Sequence, residues 1–80
     1  MKKYTLADIL TMQKENDLKL DVKLEELDPD IDLKEQGMDS LDRSSFLFEI
    51  ESYFDVEISD EDMANEEWSS INKILAKLNS

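Results

Sequence analysis

The chain has 80 residues, 21 acidic and 9 basic, for a net charge of −12, with 40% apolar residues and neither Cys nor His. A chain of this length supports one domain, 1–80, that buries about 60% of its unfolded surface and leaves little room for a deep catalytic cleft. The missing residue types exclude disulfides, thiolate nucleophiles, zinc–thiolate sites and a histidine base, and the charge opposes contact with nucleic acid.

One Gly and one Pro among many Leu, Lys, Glu and Asp favour helices over a turn-rich sheet. Lys2 and Lys3 open the chain, but Asp8 breaks the apolar stretch behind them, so the start does not read as a secretory leader. No apolar run reaches the roughly 18 residues of a membrane span. The expected location is cytoplasmic, without membrane insertion.

Thr5 and Asp8 have the spacing of an N-cap and its acidic partner, and Leu6, Ile9 and Leu10 follow at helical spacing. A first helix is expected over 5–15. Leu18, Leu20, Val22 and Leu24 then alternate with polar residues, a strand period with nothing to pair with, and read as a tethered, partly buried loop. Leu27, Ile31 and Leu33 should pin it on either side of Pro29.

Gly37 precedes a second helix over 40–54, with Asp39 as N-cap and Asp42 at the third helical position. Phe46, Leu47, Ile50, Tyr53 and Phe54 share the face expected to meet the core. Leu41 and Phe48 lie on nearly the opposite face among Ser44, Ser45, Glu51 and Ser52, as a docking patch would. Arg43 falls on the core side and in the first turn, where the helix dipole disfavours a cation. Its stem should pack while its head reaches solvent. Ser59, followed by Asp60, Glu61 and Asp62, caps a short helix that fades near Glu66. Ser70, or alternatively Ser69, caps the last, whose Ile71, Ile74, Leu75 and Leu78 form an amphipathic stripe. The fold class is all-α, a small bundle of three longer helices and one short one.

The run Gly37-Met38-Asp39-Ser40-Leu41 resembles the Gly-x-Asp-Ser-Leu motif of acyl carrier proteins, and Phe54-Asp55-Val56-Glu57-Ile58-Ser59-Asp60-Glu61 resembles the family's passage from its second to its third helix. The likeness extends over about 30–78 and implies an acyl-carrier-like bundle. It implies that Ser40 is the attachment point of a covalent 4′-phosphopantetheine drawn from coenzyme A, with the cargo held as a thioester on the arm. The resemblance further implies a phosphopantetheinyl transferase as partner, together with acyl-loading, synthase or transferase enzymes bearing basic docking faces. Asp39, Leu41, Asp42, Phe48 and Glu51 are the candidate partner-binding residues. No catalytic residue and no metal site is expected, and the carrier should be a monomer rather than an enzyme. Gln36 stands where the family usually has Leu, and Ser44, Ser45 and Ser52 replace acidic or apolar residues. These departures favour a specialised fatty-acid, polyketide, lipid-modification or aminoacyl pathway over the housekeeping one.

Two readings compete with this one. Asp28, Asp30 and Asp32 alternate like the first ligands of an EF-hand, but Leu33 and Asp39 occupy the positions that need Gly and Glu. Weak divalent binding is what survives of that reading. An acidic helical adapter without a prosthetic group explains the charge but gives Ser40 no role.

The charge excess makes a prediction of its own. Added salt shortens the screening length from about 30 Å at 0.01 M to about 10 Å at 0.1 M. The melting temperature should therefore rise with sodium chloride, and rise further with calcium or magnesium at matched ionic strength. Melts that stay flat across all three conditions would refute collective repulsion as the limit on stability.

Overall fold

A reciprocal pair of hydrogen bonds at Thr5 starts the first helix in the computed structural model, which describes residues 3–80. Lys2, part of the leader reading, lies outside the described residues. The Thr5 amide donates to the Asp8 carboxylate at 2.9 Å, and the Asp8 amide donates to the Thr5 carbonyl at 3.0 Å. Helix α1 runs Leu6–Glu15, α2 Ser40–Tyr53, α3 Asp60–Ala64 and α4 Ile71–Leu78. The all-α bundle of three longer helices and one short one is thus the observed architecture, with no strand among the described residues. None of its helices is long and apolar enough to cross a membrane.

The core gathers Ile9 and Met12 from α1, Phe46, Leu47 and Ile50 from α2, and Ile71, Ile74 and Leu78 from α4. Irregular segments add Leu24, Leu33, Met38 and Trp68. Each such side chain is worth about 1.5–3 kcal/mol when fully buried. Helix α3 contributes no fully buried residue. Tyr53 departs from its expected core position. It closes α2, is 40% exposed, and donates its hydroxyl to the Glu15 carboxylate of α1. The phenol needs a polar partner, and α1 offers one at the bundle's edge. Phe54 takes the inward place at half-burial, its ring edge-on to both Tyr4 and Tyr53.

The long connection from α1 to α2 is the loop the alternating pattern announced. It contains two 3₁₀ turns, Leu24–Glu26 and Leu33–Gln36. Leu24 and Leu33 are buried, and Leu18, Leu20, Val22 and Leu27 pack against the core. Ile31 does not pin the loop as expected; it is 42% exposed. Hydrogen bonds do that work instead. The Leu33 amide donates to the Ser69 carbonyl at 2.8 Å, and the Asn72 amide to the Pro29 carbonyl at 2.9 Å. Gln36 closes the loop on itself: its Nε2 donates to the carbonyls of Asp28 and Ile31, and its Oε1 accepts from the Asp28 amide. A Leu at this position could make none of these bonds. Gly37 ends the second turn at φ 103°, a left-handed conformation that a side chain would strain.

Lys77 ties the α3 region to α4, its ammonium 3.4 Å from both the Asp62 and Glu67 carboxylates. Hydrogen bonding with Glu67, and then with Lys77, holds the Asp62 carboxyl below its ordinary range against the opposing effect of burial. For Lys77 burial acts downward, but Glu67 and Asp62 outweigh it and raise the ammonium. A depressed carboxyl contributes stability above its unfolded value, about 3.9, and loses it as pH falls through the folded value. The raised ammonium contributes below its own unfolded value, about 10.4, and loses that contribution as pH rises through the folded one. Substituting Lys77→Met should lower the melting temperature near neutrality, and the gap from wild type should close as the solution is acidified below the usual aspartate range. Paired melts across that range test this; a gap independent of pH would mean that the lysine stem, not its charge, holds the region.

Candidate functional site

Asp39 sets the geometry of the site. Its backbone is extended, and its Oδ1 accepts from the Asp42 amide at 2.8 Å, so α2 begins at Ser40. Ser40 is exposed as the first helical residue. The amides that open a helix lack intrahelical acceptors. Asp42's is capped by Asp39, while those of Ser40 and Leu41 stay directed out of the helix end. Met38, immediately before the cap, is buried and anchors this corner to the core.

The candidate partner-binding residues fall into two groups. Leu41 and Phe48 stand on the surface of α2 at 79% and 66% exposure, as the periodicity predicts. The three acids are more engaged than the sequence suggests. Asp42 is half-buried and accepts from the Asp21 amide through Oδ2 at 3.0 Å. Glu51, also half-buried, accepts from the Ile58 amide at 2.8 Å and so fixes the turn after α2. Asp39 is occupied as the cap. These carboxylates build the site's framework.

Sequence reading missed Asp21. The loop brings its carboxylate to Asp39 and Asp42, with one oxygen of each within 4.8 Å of the others. No local signal marks it, because the juxtaposition exists only once the loop folds back. The three acids of the run that has only the start of an EF-hand pattern serve the loop itself. Asp28 accepts from the Asp30 amide, Asp32 from the Lys34 amide, and Asp30 from the Asn72 side chain. The first two bonds are short-range turns that shape the loop, and the third ties it to α4.

Between α2 and α3 lies a shallow cleft of about 210 Å³ lined by Ser44, Leu47, Phe48, Glu51, Ile58 and Met63. Depressions of about 420 and 560 Å³ run along α4 and include none of the candidate residues. Arg43, whose stem was expected to pack with its head in solvent, is half-buried and lines a small pocket with Met63, Glu66, Trp68 and Ser69.

Residues 18–78 match a protein-family model described as "Phosphopantetheine attachment site". Over 51 residues the chain is 41% identical to the "D-alanyl carrier protein" of Staphylococcus saprophyticus. That stretch covers 62% of this chain and 65% of the relative, just under two thirds of the relative's length. No solved structure matches the chain.

If Asp39 fixes the start of α2, Asp39→Ala should destabilise the fold by about 1 kcal/mol, and Asp39→Asn or Asp39→Ser should recover most of it. Urea denaturation of the three variants measures this. Equal losses in all three would point to the charge rather than the cap.

Proposed function

The chain belongs to the phosphopantetheine attachment-site family, and on that premise we propose that Ser40 bears the arm and that D-alanine is its cargo. Membership makes the protein a non-catalytic carrier with a covalent 4′-phosphopantetheine, served by a phosphopantetheinyl transferase and by partner enzymes. The arm supplies a thiol that holds the cargo as a thioester.

The observation that carries the assignment to Ser40 is its place as the first residue of α2, exposed, with uncapped amides beside it. A phosphodiester there is favoured by the free N–H groups and by the helix dipole. It would also join the negative charge of Asp21, Asp39 and Asp42, a focus that draws a basic enzyme face toward the hydroxyl. Leu41 and Phe48 flank it as apolar anchors. Rim charges set association rate and salt dependence, and a buried apolar anchor sets residence time.

The cargo reading rests on the identity to a D-alanyl carrier. A small aminoacyl group also suits the surface. Its ammonium is compatible with a net charge of −12, and it needs no apolar sheath beyond the shallow cleft between α2 and α3. An acyl chain of the fatty-acid or polyketide kind would draw on the same cleft through Leu47, Phe48, Ile58 and Met63.

Incubation with coenzyme A and a broad-specificity transferase should add one arm to wild type and none to Ser40→Ala, whose helical circular dichroism should be unchanged. Asp42→Asn keeps an acceptor for the Asp21 amide but removes the charge, so it should slow modification most at low salt. Phe48→Ala should weaken it at any salt. The loaded carrier should then accept D-alanine from a D-alanine-activating ligase with ATP, in preference to L-alanine or a fatty acyl group. An arm on Ser40→Ala would refute the attachment site, and preferential acylation by a fatty acid would refute the cargo.

A further inference from the structure

Arg43 is the sole Arg of a chain with 21 acidic residues, and the sole basic residue of α2. It lies in the first turn, where the positive end of the helix dipole disfavours a cation. Asp39 stands four residues before it, the spacing at which an acid and a base pair along a helix. That carboxylate is instead spent on the Asp42 amide. Glu66, which lines the same small pocket, does not pair with Arg43 either. The ion pairs among the described residues all belong to lysines, and there the guanidinium has no hydrogen bond. A misplaced and unpaired cation at a helix start is best explained by an anion that joins it later.

We propose that Arg43 is the counter-ion of the phosphodiester that joins the arm to Ser40, and so fixes the root of the arm at the start of α2. The inference rests on the assignment of Ser40. Residues three apart on a helix are surface neighbours, with Cβ atoms about 5–6 Å from each other. That gap is within the span of an arginine stem. The pocket that Arg43 lines belongs to the same corner of the bundle. Its Ser69 accepts at the carbonyl from the Leu33 amide, and the Leu33 carbonyl accepts from the amide of Met38, just before the cap.

The chemistry of the donor set fits a phosphodiester. Its two free oxygens share one negative charge, the arrangement that the parallel N–H groups of a guanidinium match. The carboxylates of Asp21, Asp39 and Asp42 converge beside Ser40 and oppose any added negative charge. The uncapped amides offset part of that repulsion, and Arg43 supplies the full positive charge that the amides lack. Loading would then neutralise the one cation of α2, so loaded and unloaded carriers would differ in charge at this corner.

The single Arg makes its Nε–Hε resonance unambiguous, and the arm brings a single phosphorus. Intact mass first establishes one arm on wild type and none on Ser40→Ala. On loading of wild type, the Nε–Hε proton should move downfield and exchange with solvent about two- to fivefold more slowly, the factor an exposed ion pair supplies. Ser40→Ala treated identically should show neither change. In loaded Arg43→Met the ³¹P resonance should shift toward its position in the urea-unfolded carrier. Urea unfolding completes a cycle. At low salt, loading should lower the folding constant of Arg43→Met about two- to fivefold relative to its effect on wild type, and sodium chloride should shrink that difference. Each variant is compared with its own unloaded form, so packing lost with the arginine stem cancels.

An Nε–Hε signal identical in loaded and unloaded wild type would overturn the counter-ion while leaving the attachment site standing. Loading that changes the stability of both proteins equally would overturn it as well. An Nε–Hε signal already slow in the unloaded protein, and fast in Glu66→Gln, would assign Arg43 to Glu66 and overturn it too. A mass gain that survives in Ser40→Ala would overturn the attachment site and the counter-ion together.

Discussion

The hydrogen bond from the Asp42 amide to Asp39 decides where α2 begins, and the arrangement around Ser40 depends on it. Moving the helix start by one residue would turn Ser40 by about 100° around the axis, away from the uncapped amides. The same carboxylate stands beside Asp42, which in turn accepts from the Asp21 amide and draws the long loop to the helix end. One short side chain thus aligns a helix, a hydroxyl and a distant loop. Buried Met38 on its N-terminal side makes the corner rigid.

This dependence recasts the acidity of the chain. Read from composition, the carboxylates form a repulsive surface field. In the fold, many of them are acceptors for backbone amides that no regular element satisfies: Asp8 at α1, Asp28 and Asp32 in the loop, Asp39 at α2, and Glu51 at the turn after it. Bonds to ionised acceptors are the stronger kind. A bundle with so much irregular backbone needs such acceptors, and short acidic side chains supply them at the cost of self-repulsion. The net negative charge of the chain is in part a by-product of this local bonding.

What was legible in the sequence follows from range. The helices were readable because caps and apolar spacing are local: Thr5, Asp39, Ser59 and Ser70 all act as N-caps where expected. The family was readable because the motif around Ser40 is contiguous. Asp21, Gln36 and Trp68 were not, because each acquires its role from residues far along the chain or from burial. Trp68 is enclosed by polar neighbours in sequence, Glu66 and Glu67 before it and Ser69 and Ser70 after it, so no period marks it as core. Gln36 drew notice only as a departure from the family pattern, and its three hydrogen bonds give that departure a structural reason. Tyr53 misled because periodicity places a side chain on a face but says nothing of what its hydroxyl requires.

Helix α3 is five residues long, buries none of them fully, and is tied to α4 by a lysine reaching two carboxylates. Substitutions on its exposed positions therefore leave the core intact. Among descendants of one ancestral carrier, that surface can diverge quickly while the rest of the sequence is held by packing. Paralogues serving different enzymes within one cell would be expected to differ most there, keeping one scaffold while avoiding one another's clients.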